Sequence, residues 1–260
     1  LTTPAPLVVL PHGGPHIRDR ADFSAIVQYL ASRGYRVFQP NFRGSSGFGR
    51  TFAEDGYGQW GGLMQDDVIS GVTWLYEQGV ANPETTCIVG GSYGGYVALL
   101  AAALHSDLFK CAVSVNGIGN LSEIFRHNQR IYDRRSAQYE ELLRLIGDPS
   151  TNKELIQERS PVEHADEIDI PVLIVHAEFD NIVPISQGYE MERALRRAGK
   201  DVTFLKLDDE RHRDWTLRSQ VIYLNELETF LSEHIGGSVH PSPVPERERT
   251  QRQNIGTRIY

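Results

Sequence analysis

The chain has 260 residues, 40% of them hydrophobic and 23% charged, with a formal net charge of −8. That balance fits one large globular domain or two small ones and argues against nucleic acid as a partner. No apolar run approaches the roughly 20 residues that cross a membrane, and the opening Leu1-Thr2-Thr3-Pro4-Ala5-Pro6 lacks the basic and apolar regions of a signal peptide.

Strand-like and helix-like segments alternate, which predicts a parallel sheet covered by helices on both faces. Leu7-Val8-Val9-Leu10 reads as a buried strand ended by Pro11. Residues 22–33 read as a helix with Phe23, Ile26, Val27 and Leu30 on one face, stopped by Gly34. Tyr35-Arg36-Val37-Phe38 is the next strand. A long loop over 40–62, rich in Gly, Phe and Tyr, precedes a helix over 66–78 with Val68, Val72 and Leu75 at core spacing. Asn82-Pro83 turns the chain into the strand before Ser92, an Ala/Leu-rich helix follows to Leu104, and 111–115 is a further strand.

Residues 118–166 break the alternation. Segments 123–127 and 139–146 look helical, Gly147-Asp148-Pro149 separates segments, and no strand is evident. An insertion at this place in a doubly wound sheet lies over the carboxyl ends of the strands, where ligands bind, so it reads as a helical cap. A strand at 171–175, a helix over 187–198, a strand at 202–206 and a helix over about 217–234 complete a domain of residues 1–235. After Gly236-Gly237 come Pro241, Pro243 and Pro245 and an excess of arginine over glutamate. Residues 236–260 therefore read as a disordered tail, with a docking segment for a partner as the alternative.

Cys87 and Cys111 both fall in core strands and are expected to be buried thiols, which favours a reducing, cytoplasmic location. No Cys/His cluster has metal-ligand spacing, so no metal or other cofactor is expected. The chain begins without Met and almost directly on a strand, as a processed or trimmed chain, or a domain cut from something longer, would begin.

The chemistry concentrates at Gly90-Gly91-Ser92-Tyr93-Gly94-Gly95-Tyr96, between the apolar run Cys87-Ile88-Val89 and the helix that follows. Strand, Gly-x-Ser-x-Gly turn and helix are the context of a nucleophile elbow. The glycines let helix and strand approach closely, and the helix N-terminus points amide N–H groups toward developing negative charge. A serine hydroxyl needs a base, and the base needs a group to orient it. In chain order, serine then acid then histidine, the acid is Asp180, on the loop after strand 171–175, with Glu178 as fallback. Of the histidines after Asp180, His234 ends a helix and His240 lies in the tail, which leaves His212, just after strand 202–206, as the base. His176 comes too early and reads as structural. Two N–H donors are needed for the oxyanion: the amide of Tyr93, and one from Pro11-His12-Gly13-Gly14-Pro15-His16, where Gly14 is the choice.

Several of these stretches together carry a more specific resemblance. His12-Gly13-Gly14-Pro15-His16, Asn41-Phe42-Arg43-Gly44-Ser45-Ser46-Gly47-Phe48-Gly49, the Ser92 elbow, Ser160-Pro161 and the stretch from Pro171 to Gln187 resemble the catalytic domain of the prolyl oligopeptidase family of serine peptidases over about residues 7–235. The likeness is closest to the acylaminoacyl-peptidase and dipeptidyl-peptidase branches. It implies an α/β-hydrolase fold, a Ser92/Asp180/His212 triad, oxyanion donors from Tyr93 and the Gly14 loop, and cleavage of a peptide or acyl-amino-acid bond through an acyl-enzyme. Three departures stand out. Ala177 replaces the family's glycine after His176. Arg211 and Arg213 replace glycines around the base; a Cβ resists positive φ, so the His212 loop should either follow another path or not need those angles. The family's N-terminal β-propeller is not among the 260 residues, so the chain reads as a catalytic fragment or as a free-standing hydrolase of small esters or amides. The expected partner is a peptide or small acyl substrate, with no nucleic acid or membrane; oligomeric state is not written in the sequence. A carboxylesterase and a non-catalytic interaction module are the alternatives.

Overall fold

Central strands that are apolar at nearly every position have two faces to bury, and this chain buries both. The computed structural model describes residues 5–246. Six strands form one sheet: β1 (Leu7–Val9), β2 (Arg36–Phe38), β3 (Thr86–Gly91), β4 (Cys111–Val115), β5 (Val172–Ala177) and β6 (Val202–Leu207). Their order is β2-β1-β3-β4-β5-β6, and every neighbouring pair is parallel. The helices are α1 (Ala25–Ser32), α2 (Arg50–Glu54), α3 (Leu63–Glu77), α4 (Tyr93–Leu104), α5 (Leu121–Ile131), α6 (Ala137–Ile146), α7 (Lys153–Glu158), α8 (Ser186–Arg197) and α9 (Leu217–Ile235).

Side chains alternate between the two faces along each strand. Val8, Val89 and Val113 enter a layer shared with Ile26 and Leu30 of α1 and Tyr223, Leu227 and Leu231 of α9. Leu7, Val9, Ile88 and Ile174 enter the opposite layer with Val68 and Val72 of α3, Val97 and Leu100 of α4, and Leu195 of α8. Helix α4 is apolar around its whole circumference, and everything from Tyr93 to Ala103 is buried. Such a helix has to lie inside a core. Each large aliphatic side chain it buries contributes about 1.5–3 kcal/mol, so the start of α4, where Ser92 sits, is held rigidly. The fold is the doubly wound α/β sheet that the alternation predicts.

Between β4 and β5 the chain forms α5, α6, α7 and a short 3₁₀ turn (Pro161–His164), with no strand among the described residues. The two ends of this insertion are tied together. Ser160 Oγ accepts the Leu121 N–H at 3.0 Å, and Val162 N–H donates to the Gly119 carbonyl at 3.0 Å. Buried Gln187 holds the entry turn to α8: its Oε1 accepts the N–H groups of Gly119 (2.9 Å) and Asn120 (2.8 Å), and its Nε2 donates to the Asn120 carbonyl (3.0 Å). The insertion also meets the loops at the carboxyl ends of the strands: Gly58 N–H donates to the Arg144 carbonyl (2.8 Å) and His127 Nε2 to the Asn181 carbonyl (3.3 Å). Helices α2 and α7 lie where the sequence suggests only loop. Both are short, and only Ile156 of α7 is buried between them, so neither displays a repeating apolar face.

Cys87 and Cys111 are register partners on β3 and β4, with Cα atoms 4.8 Å apart, and their sulfurs are bonded. The expectation of two buried thiols is thereby corrected. The Cα separation is ordinary for a disulfide; the 24-residue spacing in sequence conceals that the two strands are neighbours. Residues 236–246 have no regular structure yet run back along the helices. Ser238 N–H donates to the Arg33 carbonyl (3.1 Å), Asn225 exchanges two hydrogen bonds with the backbone of Ser242 (2.8 and 2.9 Å), and Arg218 reaches the Pro245 carbonyl. The rest of the expected tail, 247–260, lies outside the described residues. No helix among the described residues is long and apolar enough to cross a membrane.

Candidate active site

Ser92 links β3 to α4 with φ 56° and ψ −118°. An L-residue held there costs about 1–3 kcal/mol and persists only when its surroundings impose it. They do. Ser92 N–H donates to the Val115 carbonyl at 2.8 Å, and the flanking backbones meet closely. A Cβ on Gly90 would stand 2.1 Å from the Gly94 oxygen, and one on Gly94 would stand 2.1 Å from the Pro11 oxygen. The turn therefore admits no side chain at Gly90 or Gly94, two residues to either side of the serine, and its hydroxyl is left half-buried above the sheet.

From that hydroxyl a line of hydrogen bonds crosses to two other loops. Ser92 Oγ donates to His212 Nε2 at 3.1 Å, and His212 Nδ1 donates to Asp180 Oδ2 at 2.5 Å. His212 is 9% exposed and Asp180 6%. The remaining oxygen, Asp180 Oδ1, accepts the N–H groups of Ile182 and Val183, each at 2.9 Å, so both carboxylate oxygens are committed. Beneath this loop lies fully buried His176, whose Nε2 donates to the Val183 carbonyl at 2.9 Å. Burial lowers its pKa, against the opposing pull of that carbonyl and of Asp180, and keeps the ring neutral.

The strand order reverses between β1 and β3, and the loop after β1 enters that crevice beside the elbow. A Cβ on Gly13 would lie 3.5 Å from Ser92 Cβ and 3.1 Å from the Gly91 oxygen. Gly14 follows at φ 117° with a cis bond to Pro15. The Tyr93 amide opens α4 and has no intrahelical carbonyl to donate to. The Tyr93 ring is core: it packs on Phe42, Trp60 and Tyr96 with its hydroxyl 3.6 Å from Met64 Sδ, and burial drives the phenol pKa well up. Tyr93 thus offers the site its main chain.

The sequence-predicted Ser92, Asp180 and His212 meet in one line. The Tyr93 amide follows Ser92 directly, and in the loop after β1 it is Gly13, next to the expected Gly14, that lies against Ser92. Glu178 does not join them: it binds Lys206 Nζ at 2.9 Å and accepts the Asp209 N–H at 3.1 Å. The positions where family glycines are missing need no glycine. Left-handed φ in the His212 loop falls on Asp209 (62°) and Asp214 (59°), not on Arg211 or Arg213. The loop is shaped instead by buried Glu210, whose Oε1 accepts the Thr216 N–H (3.0 Å) and hydroxyl (2.6 Å), and by Trp215 Nε1 donating to the Arg211 carbonyl (2.7 Å). Asn116 carries no motif-level signal; His12 and Ser45 lie in stretches that carry the resemblance, but their pairing is not written in either. Among the described residues no group of three or more His, Cys, Asp or Glu is arranged to hold a metal.

The model of the prolyl oligopeptidase family matches residues 21–238. A dipeptidyl aminopeptidase BIII of Pseudoxanthomonas mexicana is 36% identical over 240 residues, which cover 92% of this chain and 34% of that protein. Among solved structures, a puromycin-hydrolysing peptidase of Mycobacterium tuberculosis superposes with a TM-score of 0.83 at 31% identity, covering 93% of this chain and 35% of the other. The acylaminoacyl peptidase of Pyrococcus horikoshii superposes with a TM-score of 0.80 at 26% identity, covering 93% and 39%. The chain thus spans 34–39% of the length of these relatives.

Proposed function

The chain belongs to the prolyl oligopeptidase family, and from that premise we propose that it is a serine hydrolase cleaving a peptide or acyl-amino-acid bond through an acyl-enzyme. The observation that carries the reading is the unbroken line Ser92 Oγ–His212 Nε2 (3.1 Å) and His212 Nδ1–Asp180 Oδ2 (2.5 Å). Ser92 Oγ attacks the scissile carbonyl while His212 Nε2 takes its proton. Asp180 fixes the ring with Nδ1 protonated, so Nε2 is the basic nitrogen. The carbonyl oxygen, now an alkoxide, lies against the N–H groups of Tyr93 and Gly14, whose fixed dipoles stabilise the charge without reorganising. His212 then returns the proton to the leaving group, and water repeats the sequence on the acyl-enzyme.

An amide leaves as a poor amine and depends on that proton delivery more than an ester does. The relatives' names, dipeptidyl aminopeptidase, acylaminoacyl peptidase and puromycin-hydrolysing peptidase, support an amide as the bond cut. The substrate is read as a peptide or acylated amino acid, its access shaped by the insertion at 118–166 acting as a cap. The cytoplasmic expectation rested on free thiols at Cys87 and Cys111; bonded, they no longer argue for a reducing compartment.

Labelling by a fluorophosphonate probe tests the serine, and matched aminoacyl p-nitroanilides and p-nitrophenyl esters test the bond. Labelling of the wild type that disappears in Ser92→Ala, with anilide turnover, is the expected result. Ester turnover without anilide cleavage would turn the reading to a carboxylesterase. Absence of labelling in the folded protein would turn it to an interaction module.

A further inference from the structure

Two consecutive residues at the end of β4 touch all three segments that carry the proposed site. The Val115 carbonyl accepts the Ser92 N–H at 2.8 Å. Asn116 N–H donates to the Val175 carbonyl at 2.8 Å, and Asn116 Oδ1 accepts the Ala177 N–H at 2.8 Å, at the start of the loop that bears Asp180. Asn116 Nδ2 then donates to the main-chain carbonyl of His212 at 3.2 Å. The asparagine is 3% exposed and sits at φ 48°, a left-handed conformation that Asn tolerates better than most L-residues.

The two ends of the amide make different contacts. Oδ1 joins the end of β4 to the end of β5. Nδ2 joins the sheet to the backbone of the base itself. The side chain of His212 is oriented by Asp180, but its main chain rides on an irregular loop with left-handed turns at Asp209 and Asp214. Since Val115 fixes the Ser92 backbone and Asn116 the His212 backbone, the residue step Val115-Asn116 sets the spacing between nucleophile and base.

We propose that Asn116 is a positioning residue for the base: its Nδ2 holds the His212 main chain at the height that gives the 3.1 Å contact from Ser92 Oγ to His212 Nε2. The proposal rests on the reading of Ser92, His212 and Asp180 given above. Its loss lets the loop rise, and a misplacement of about 1 Å at a reacting group costs about 10²-fold in rate.

Asn116→Asp and Asn116→Ala separate the two contacts. The aspartate keeps an acceptor for Ala177 N–H but turns a second oxygen on the His212 carbonyl; the alanine removes both bonds. Each variant is checked for folding by thermal melting, and the isosteric aspartate serves if the alanine does not fold. On a p-nitrophenyl ester, both variants are expected to lose about 10²-fold in kcat with KM within about threefold of wild type. The downfield proton resonance of His212 Nδ1–H, identified by its absence in His212→Ala, is expected to shift or vanish in both. If Asn116→Asp leaves that resonance in place, Asn116 only staples β4 to β5 and the proposal falls, whatever its kcat. The resonance decides the matter on its own: a wild type inert to fluorophosphonate would end the proposed function, while a resonance displaced in both variants would still support the positioning role.

Discussion

His12 Nε2 lies 2.8 Å from Ser45 Oγ, joining the loop after β1 to the segment 41–49. His12 Nδ1 donates to the Gly13 carbonyl at 2.7 Å, so Nε2 of the neutral ring is the acceptor toward the Ser45 hydroxyl. That hydroxyl also lies 2.6 Å from the Phe42 carbonyl, and the ring stacks on Phe42 at 4.3 Å. Further bonds repeat the link. His16 Nδ1 donates to the Gly44 carbonyl (2.7 Å), Ser46 N–H to the Ile17 carbonyl (3.0 Å), and Asp19 N–H to Asn41 Oδ1 (2.9 Å). Arg43 grips Asp67 of α3 with two nitrogens, at 2.7 and 2.6 Å. Segment 41–49 braces the loop after β1, in which Gly13 lies against Ser92.

Replacing Ser45 by alanine leaves the buried Nε2 of His12 without a partner. An orphaned buried polar group costs about 1–3 kcal/mol, and urea unfolding should show a loss of that size. The loop proposed to hold the oxyanion loosens with it, so kcat should fall about tenfold while KM holds, the pattern of an interaction made in the transition state. Unchanged kcat in a destabilised variant would show that the brace serves the fold alone.

Gly94→Ala is expected to abolish folding. Its Cβ would stand 2.1 Å from the Pro11 oxygen and 3.2 Å from the His12 oxygen, both backbone atoms that cannot turn aside. Overpacking of this kind exceeds the usual cost of about 1–3 kcal/mol because the elbow and the oxyanion loop would both have to move. Circular dichroism of the purified variant checks it, and a native spectrum with a native melting temperature would refute the close-approach argument.

His212→Ala should lower turnover by about 10³-fold or more with little change in melting temperature. Among the described residues the side chain makes two hydrogen bonds, to Asp180 and Ser92. Retention of most of the activity would move the base elsewhere.

Much of this arrangement was legible because chemistry and chain order constrain each other. The Gly-x-Ser-x-Gly turn, the proposed acid after one strand and the proposed base after the next are local features, and Ser92, Asp180 and His212 could be singled out without knowing the sheet order. Contacts between segments far apart in sequence were not legible. Asn116 reaches His212 across 96 residues and His12 reaches Ser45 across 33, and a lone Asn after a strand carries no pattern. Cys87 and Cys111 were misread for the same reason: their pairing depends on β3 and β4 being neighbours. Short α2 and α7 lack the two turns that make an amphipathic period visible.

Glu228 is the stability centre of the opposite face. Its side chain is fully buried and meets Arg33 Nε at 2.8 Å and the Tyr29 hydroxyl at 2.8 Å, and it accepts the His240 N–H, pinning the segment after α9. Glu228→Ala leaves Arg33 with an unpaired charge; since Arg33 keeps 17% of its side-chain surface in water, the loss should be about 2–3 kcal/mol, below the full cost of breaking a buried pair. None of these partners belongs to the site, so kcat should not change. A variant as stable as wild type in urea would contradict the assignment.

His176 makes stability depend on pH. Burial lowers its pKa from 6.5, outweighing the upward pull of the Val183 carbonyl and Asp180, and burial likewise lowers those of His12 and His105. Below pH 6.5 the unfolded chain therefore binds protons that the folded chain refuses. Stability is complete above that value and declines as pH falls from 6.5 toward the lowered folded pKa. His176→Gln keeps a donor for the Val183 carbonyl but cannot take up a proton. Its urea midpoint should be lower than wild type at pH 8, and should fall less steeply than wild type between about pH 6.5 and 5. Equal slopes for the two proteins would assign the acid sensitivity to other groups and remove His176 from the account.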